Sequence, residues 1–214
     1  MTTAPASPST TTTTTATAAS VIPPISRYPV PALADLPDDI RALILQVQEK
    51  SGFVPNVFLS LACRPAEFRA FFAYHDALML KETGSLTKAD REMIVTATSA
   101  KNNCLYCVVA HGAILRIYAR NALVADQVAV NHLKADITPR QCAMLDFAIK
   151  VCLSSDQIGD ADYATLARHG FDAEDAWDIA AITAFFGLSN RMANAISMRP
   201  NEEFFLMGRL PRSK

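Results

Sequence analysis

Apolar residues recur along this chain at intervals of three and four, and no run alternates apolar with polar over the length of a strand. Between Pro37 and Lys50 the apolar set is Ile40, Leu43, Ile44 and Val47, one face of a helix that Gly52 closes as a C-terminal cap. From Glu67 to Lys81 the recurring positions are Phe68, Phe71, Phe72, His75 and Leu78. Thr87 to Lys101 opens on the capping pair Thr87 and Asp90. A further helix from Cys104 to about Tyr118 follows the dipeptide Asn102-Asn103, which is short enough to force an antiparallel hairpin. Thr138-Pro139-Arg140-Gln141 is a capping box with proline at the first helical position, and starts a helix to about Leu153. Asp160 to His169 stops at Gly170, Asp172 caps a helix through Phe186, and Leu188 to Met198 stops before Pro200. The fold class expected is all-α: a compact multi-helix domain with the hairpin at its centre. The N-terminal portion to about Ala62 is expected to wrap the core, and the helices beginning at Thr138 and Asp172 to complete it.

Composition narrows the picture. The 214 residues are 50% hydrophobic, enough for one sizeable core, and residues 25–214 are read as one domain. Residues 1–24 are mostly Thr, Ala, Ser and Pro, which cannot build a packed face, and are expected to form a disordered tail. That tail carries no Arg or Lys before Arg27, which argues against an organellar transit peptide. A formal net charge of -1 points away from nucleic acid and from a membrane surface as partners. The chain has no apolar stretch long enough to span a bilayer and no secretory layout at its N-terminus. Five cysteines without a disulfide-framework spacing suit a reducing compartment, so a cytoplasmic location is expected.

The most specific chemistry lies on the hairpin, in Glu92 and the run Cys104-Leu105-Tyr106-Cys107-Val108-Val109-Ala110-His111. A helical turn of about 3.6 residues puts Cys104, Cys107 and His111 on one stripe. Glu92 lies as far back from the turn as His111 lies beyond it, to within roughly 3 Å at a rise of about 1.5 Å per residue. Val95, Thr96 and Ser99 on its face are small enough to let the two helices approach. A helix N-terminus and an adjacent imidazole both favour thiolate. A thiolate that reduces a peroxide becomes a sulfenic acid, which a second nearby thiol can convert to a disulfide before it over-oxidises. The attacking thiol must lose a proton and the departing alkoxide must gain one, so a base oriented by a third group is the expected companion, a role that His111 and Glu92 fit.

Glu92, eleven intervening residues, Cys104-x-x-Cys107, three residues and His111 form a pattern that resembles the alkylhydroperoxidase D-like branch of the carboxymuconolactone decarboxylase superfamily. From about Ile25 to Arg209 the chain is similar to the peroxidase-related members, including Phe53-Val54-Pro55-Asn56 and Asn190-Arg191-Met192-Ala193-Asn194-Ala195, and the core family region is read as about 65–150. The resemblance implies a cofactor-free and metal-free peroxidase acting on a small hydroperoxide. It also implies that Cys107 is the peroxidatic thiol, Cys104 resolves it, and Glu92 and His111 relay protons. An external dithiol, a thioredoxin-like or lipoyl partner, would return the electrons, and a dimer, trimer or hexamer is the implied assembly. One position departs from the pattern: the typical hydroperoxidases carry a further relay histidine just before the second cysteine, where this chain has Tyr106.

Other readings compete. Cys104, Cys107, His111 and a carboxylate could ligate zinc, although a single helix-bound C-x-x-C is not the usual knuckle around a tetrahedral metal. Decarboxylase or lactone chemistry of the carboxymuconolactone kind needs a proton donor and a cation for a carboxylate, and has no use for two thiols. A non-enzymatic thiol redox sensor would keep the disulfide without turnover. Cys63, Cys142 and Cys152 read as buried small hydrophobes among apolar neighbours, and His75 as a satisfied core histidine. His132 and His169 fall near helix C-termini, where imidazole is favourable. Trp177, Phe185 and Phe186 read as core or subunit interface, and the Glu202-Glu203 pair as a solvated face.

Overall fold

The structure is a computed structural model that describes residues 24–209; the expected disordered tail therefore lies outside the described residues, apart from Pro24. Ten α-helices and three short 3-10 turns make up the secondary structure of those residues, with no strand among them. The helices are α1 (Asp38–Ser51), α2 (Asn56–Leu61), α3 (Pro65–Met79), α4 (Lys88–Lys101), α5 (Leu105–Ala119), α6 (Val124–Asn131), α7 (Pro139–Ser154), α8 (Asp160–Arg168), α9 (Ala173–Ala195) and α10 (Glu202–Leu206).

Three of the N-termini are set by the local chemistry that the sequence displays. Thr87 and Asp90 exchange side-chain bonds with each other's backbone N–H at 3.1 and 3.0 Å, Thr138 and Gln141 do so at 3.2 and 3.0 Å, and Asp172 and Asp175 at 2.8 and 3.2 Å. Such caps satisfy amides that a helix leaves without partners, each contributing about 1 kcal/mol.

The centre of the molecule is α4. Every residue from Asp90 to Ser99 is buried, because α5, α6, α7 and α9 pack around it. A helix surrounded on all sides needs no amphipathic stripe, and two of its buried polar residues, Thr96 and Thr98, turn their hydroxyls back to backbone carbonyls at 2.8 Å. Ile94, Val95, Leu115, Met144, Ile179 and Phe186 form the heart of the core, each contributing about 1.5–3 kcal/mol through burial. A second cluster, Leu36, Ile40, Ile44, Phe68 and Phe72, joins α1 to α3 at one side, which is how the N-terminal portion covers the core.

The helices differ from the periodic reading in three places. α9 runs unbroken through Gly187, where two helices were expected. An isolated interior glycine costs only about 1 kcal/mol, less than what burial of Phe185, Phe186 and Asn190 on the same helix returns. Neither α2 nor α6 was visible in the pattern; both are short and neither has a side-chain cap. Cys104 is not the first residue of α5 but its N-cap, with φ -90° and ψ 98°.

A buried charge cluster ties α3, α4 and α9 together. Lys81 Nζ lies 2.9 Å from both oxygens of Asp178, Arg91 Nη2 lies 3.2 Å from Oδ2, and Arg91 Nη1 donates to the Leu78 carbonyl at 2.9 Å. Asp178→Ala leaves the Arg91 guanidinium buried without its counter-charge, and should cost about 3–5 kcal/mol of unfolding free energy. A denaturant midpoint that barely moves would mean the cluster is electrostatically idle. Among the described residues no helix is long and apolar enough to cross a membrane.

Candidate functional site

The turn between α4 and α5 is Asn102-Asn103, and Asn103 takes the left-handed conformation at φ 51°, which asparagine tolerates better than most residues. Asn102 is held from the side: its amide donates to Asn190 Oδ1 at 2.8 Å, and its carbonyl accepts from Asn194 at 3.1 Å. Asn190 in turn donates to Ser99 Oγ at 2.9 Å. Two polar residues of the segment Asn190 to Ala195 thus grip the hairpin whose first helical turn carries the cysteines.

The hairpin brings the expected carboxylate and imidazole together. His111 Nδ1 and Glu92 Oε2 are 2.7 Å apart, with the two side chains only 13% and 8% exposed. Phe186 packs edge-on to the His111 ring at a centroid distance of 4.7 Å and fixes its plane. With Nδ1 committed to the carboxylate, Nε2 is the nitrogen free to exchange a proton.

Both sulfurs are buried and both cysteines are free thiols. The Cys107 amide donates to Cys104 Sγ at 3.4 Å, so the sulfur occupies the position that a serine or aspartate oxygen takes in an ordinary N-cap. Hydrogen bonds from the Cys107 thiol and amide, the charge of His111 and the Asn190 side chain together bring the Cys104 pKa down to about 7 against the opposing effect of burial. Cys107 moves the other way, because its proton is held in the bond to Cys104 and the site is buried. Of the two thiols, Cys104 is therefore the more readily ionised and Cys107 the one that holds its proton more firmly. Ser189 and Asn190 lie beside Cys107 and favour its ionisation. These two residues of α9 were not singled out as thiol neighbours from the sequence; the available signal was a buried-face serine and asparagine within an otherwise apolar helix.

Tyr106, the departure from the family pattern, is 5% exposed, and burial pushes its phenol well above the ordinary range. Its oxygen accepts the Val57 amide at 3.2 Å. The preceding Phe53-Val54-Pro55-Asn56 segment is pinned to the C-terminal region: Asn56 N donates to Asn201 Oδ1 at 2.7 Å, Asn56 Nδ2 to the Arg199 carbonyl at 2.8 Å, and Asn201 Nδ2 to the Val54 carbonyl at 2.9 Å. Tyr106 thus anchors a cover over the thiols, and it stands where a base would stand without being one. Beside it an open cleft of about 710 Å³ is lined by Asn56, Leu105, Tyr106, Met198, Asn201 and Phe205.

Several expectations are corrected. Cys63 is exposed and Cys142 and Cys152 only half-buried, since apolar sequence neighbours do not determine which face of a helix a residue occupies. Trp177 is 73% exposed, whereas Phe185 and Phe186 are core. His75 is partly exposed rather than a core residue; its Nδ1 lies 2.9 Å from Asp76 Oδ1, and burial still lowers its pKa. His169 is the C-cap of α8 as expected, and the Arg191 guanidinium donates to the Gly187 carbonyl at 2.7 Å. The zinc reading of the hairpin finds no geometric support: among the described residues, metal-type ligand atoms converge within 4.8 Å in one group, His132, Cys142 and Asp146, which excludes the hairpin thiols.

Residues 65–128 match the carboxymuconolactone decarboxylase family, a span from the start of α3 into α6 that contains Glu92, both cysteines and His111. The crystal structure of an alkylhydroperoxidase AhpD core, a peroxidase-related protein from Ralstonia eutropha, is 75% identical, with 89% of this chain and 100% of that one covered and a TM-score of 0.88. A peroxidase-related protein from a Silicibacter species is 40% identical over 86% of this chain and 96% of its own, with a TM-score of 0.82. A debrominase at 21% identity, covering 86% of this chain and 95% of its own with a TM-score of 0.67, shares the fold. No curated protein matches the chain significantly. With a helical fold, a buried Cys-x-x-Cys at its central hairpin and a relative of this closeness spanning the described domain, the chain belongs to the alkylhydroperoxidase D-like branch of the carboxymuconolactone decarboxylase superfamily.

Proposed function

We propose that the protein is a thiol-dependent peroxidase that reduces organic hydroperoxides or hydrogen peroxide through the Cys104 and Cys107 pair. The observation that carries this reading is the conjunction, in the first turns of one helix, of two neighbouring free thiols and a carboxylate-bound imidazole. The chemistry balances without a cofactor. The Cys107 thiol proton passes to the Cys104 sulfur, and the Cys107 thiolate attacks the distal peroxide oxygen. The O–O bond breaks, sulfenic acid forms, and the departing alkoxide takes a proton relayed through His111. Cys104, again a thiolate once its proton has left by the same relay, attacks the Cys107 sulfenic acid, forming the disulfide and releasing water. An external dithiol supplies the two electrons and two protons that restore the pair. The cleft lined by Leu105 and Tyr106 runs beside the two residues that separate the cysteines, although neither cysteine lines it.

A second assignment has one feature in its favour: Cys104 is the more readily ionised of the two thiols, so it could attack directly, with Cys107 resolving. The overall reaction is the same.

Hydroperoxide consumption with a dithiol reductant tests the proposal. Many molecules of peroxide should be consumed per protein, and alkylation of Cys104 should rise with pH through about 7, where its thiolate forms. Consumption that stops after one equivalent despite a reductant that regenerates the dithiol would make the pair a sensor, and no consumption at all would sink the peroxidase reading. The implied self-association belongs to the same proposal, and exposed Leu105, Leu123, Val130, Trp177 and Leu206 supply apolar surface for it. A monomer mass by light scattering at micromolar concentration would count against it.

A further inference from the structure

Away from the hairpin, three potential ligands of different chemistry meet where the turn after α6 touches α7. His132 opens that 3-10 turn and is itself buried. Its Nε2 lies 2.7 Å from Asp146 Oδ1, and one ligand atom from each of His132, Cys142 and Asp146 lies within 4.8 Å of the other two. Cys142 and Asp146 are four residues apart on α7, which places both on one face of the helix.

We propose that His132, Cys142 and Asp146 form a binding site for one borderline-soft divalent cation of the zinc type. The donor set is one nitrogen, one sulfur and one oxygen, the mixture that zinc accepts, at bond lengths of about 2.0–2.3 Å. Tetrahedral bonds of that length separate the ligand atoms by roughly 3.3–3.7 Å. The nitrogen and oxygen must part slightly from their present hydrogen bond and the sulfur must close in, which are adjustments of side-chain torsions rather than of backbone.

Charge and protons balance. The cation replaces the proton between His132 and Asp146, leaving a neutral imidazole protonated on Nδ1. It also displaces the Cys142 thiol proton to solvent, so that thiolate and carboxylate together neutralise a 2+ ion. Asp146 and Cys142 are not sealed from solvent, which leaves a water for the fourth position. Burial and the neighbouring Asp146 carboxylate hold the Cys142 thiol above its ordinary pKa, so it is the cation that must drive off the thiol proton. A bound ion would link the turn after α6 to α7 by metal bonds where a single hydrogen-bonded pair links the same side chains without one.

The test begins with metal-stripped, reduced full-length protein titrated with cobalt(II), a spectroscopic substitute for zinc. We expect saturation at one equivalent with a thiolate-to-cobalt charge-transfer band that zinc displaces. The band should persist in Cys104→Ser/Cys107→Ser, disappear in Cys142→Ser and require more metal in Asp146→Asn. Peptide-level mass spectrometry gives a second readout: zinc should slow alkylation of Cys142 while leaving exposed Cys63 unchanged. Cys142→Ser should also leave peroxide consumption intact, because Cys142 is none of the four hairpin groups to which the reaction is assigned. A band lost in Cys104→Ser/Cys107→Ser yet kept in Cys142→Ser would assign the metal to the hairpin and overturn the proposal. No saturable band, or equal alkylation of Cys142 with and without zinc, would leave His132 and Asp146 as an ion pair only and overturn it equally.

Discussion

Serine at either hairpin cysteine should abolish multiple-turnover peroxide reduction, because neither single thiol can close the disulfide that the external dithiol reduces. The two variants should nevertheless differ after one equivalent of peroxide. Cys104→Ser retains Cys107, and if Cys107 attacks, a dimedone-type reagent should trap its sulfenic acid, while Cys107→Ser gives no adduct on Cys104. Burial of both sulfurs slows the attack of a second peroxide on the sulfenic acid, so it should last long enough to be trapped before sulfinic acid accumulates. The alternative outcome is equally definite: an adduct on Cys104 in Cys107→Ser, and none on Cys107 in Cys104→Ser, would make the more readily ionised thiol the attacking one. Peroxide turnover retained by either serine variant would remove the disulfide from the mechanism altogether.

Glu92→Gln should preserve the fold and lower peroxide reduction near neutral pH by roughly 10²- to 10⁴-fold, the range for loss of a positioned acid-base contribution. The amide has nearly the shape of the carboxylate and can still meet His111 Nδ1, so packing against the small face of α4 survives. What changes is charge. The carboxylate backs the imidazole whose charge helps hold Cys104 at a pKa of about 7, so the midpoint for Cys104 alkylation should move up and the fraction of thiolate at neutral pH fall. Superimposable alkylation profiles for the wild type and Glu92→Gln would make Glu92 a buried structural acid and end the relay argument. His at position 106 tests the complementary side: it restores the imidazole of the typical family pattern, but removes the phenol oxygen that accepts the Val57 amide. A rise in rate would mean that the missing base limits the reaction, and a fall that anchoring the cover matters more.

Where local chemistry specifies structure, the sequence was legible. The Thr87, Thr138 and Asp172 caps need only neighbours three residues away, and all three appear where the pattern sets them. The pairing of Glu92 with His111 was equally readable, because a short turn and a fixed helical rise leave little freedom in which residues face each other. α2 and α6 were not legible, for they lack side-chain caps and depend on packing. Nor was the continuity of α9, where a local penalty at Gly187 is overridden by burial on both sides of it.

The sequence by itself determined the all-α class, the central hairpin and which four side chains were candidates for its chemistry, since periodicity, caps and spacing are properties of neighbouring residues. Only the tertiary structure decided which of the two thiols ionises more readily. That depends on Cys104 leaving the helix to become its N-cap, on Asn190 arriving from α9, and on the burial of both thiols, none of which is encoded within the four residues of the motif. It likewise decided that Tyr106 serves as an anchor, because its partner amide lies 49 residues away in sequence. Charge and hydrogen bonding at a buried site follow from everything packed around it, and distant segments of chain meet there only after folding.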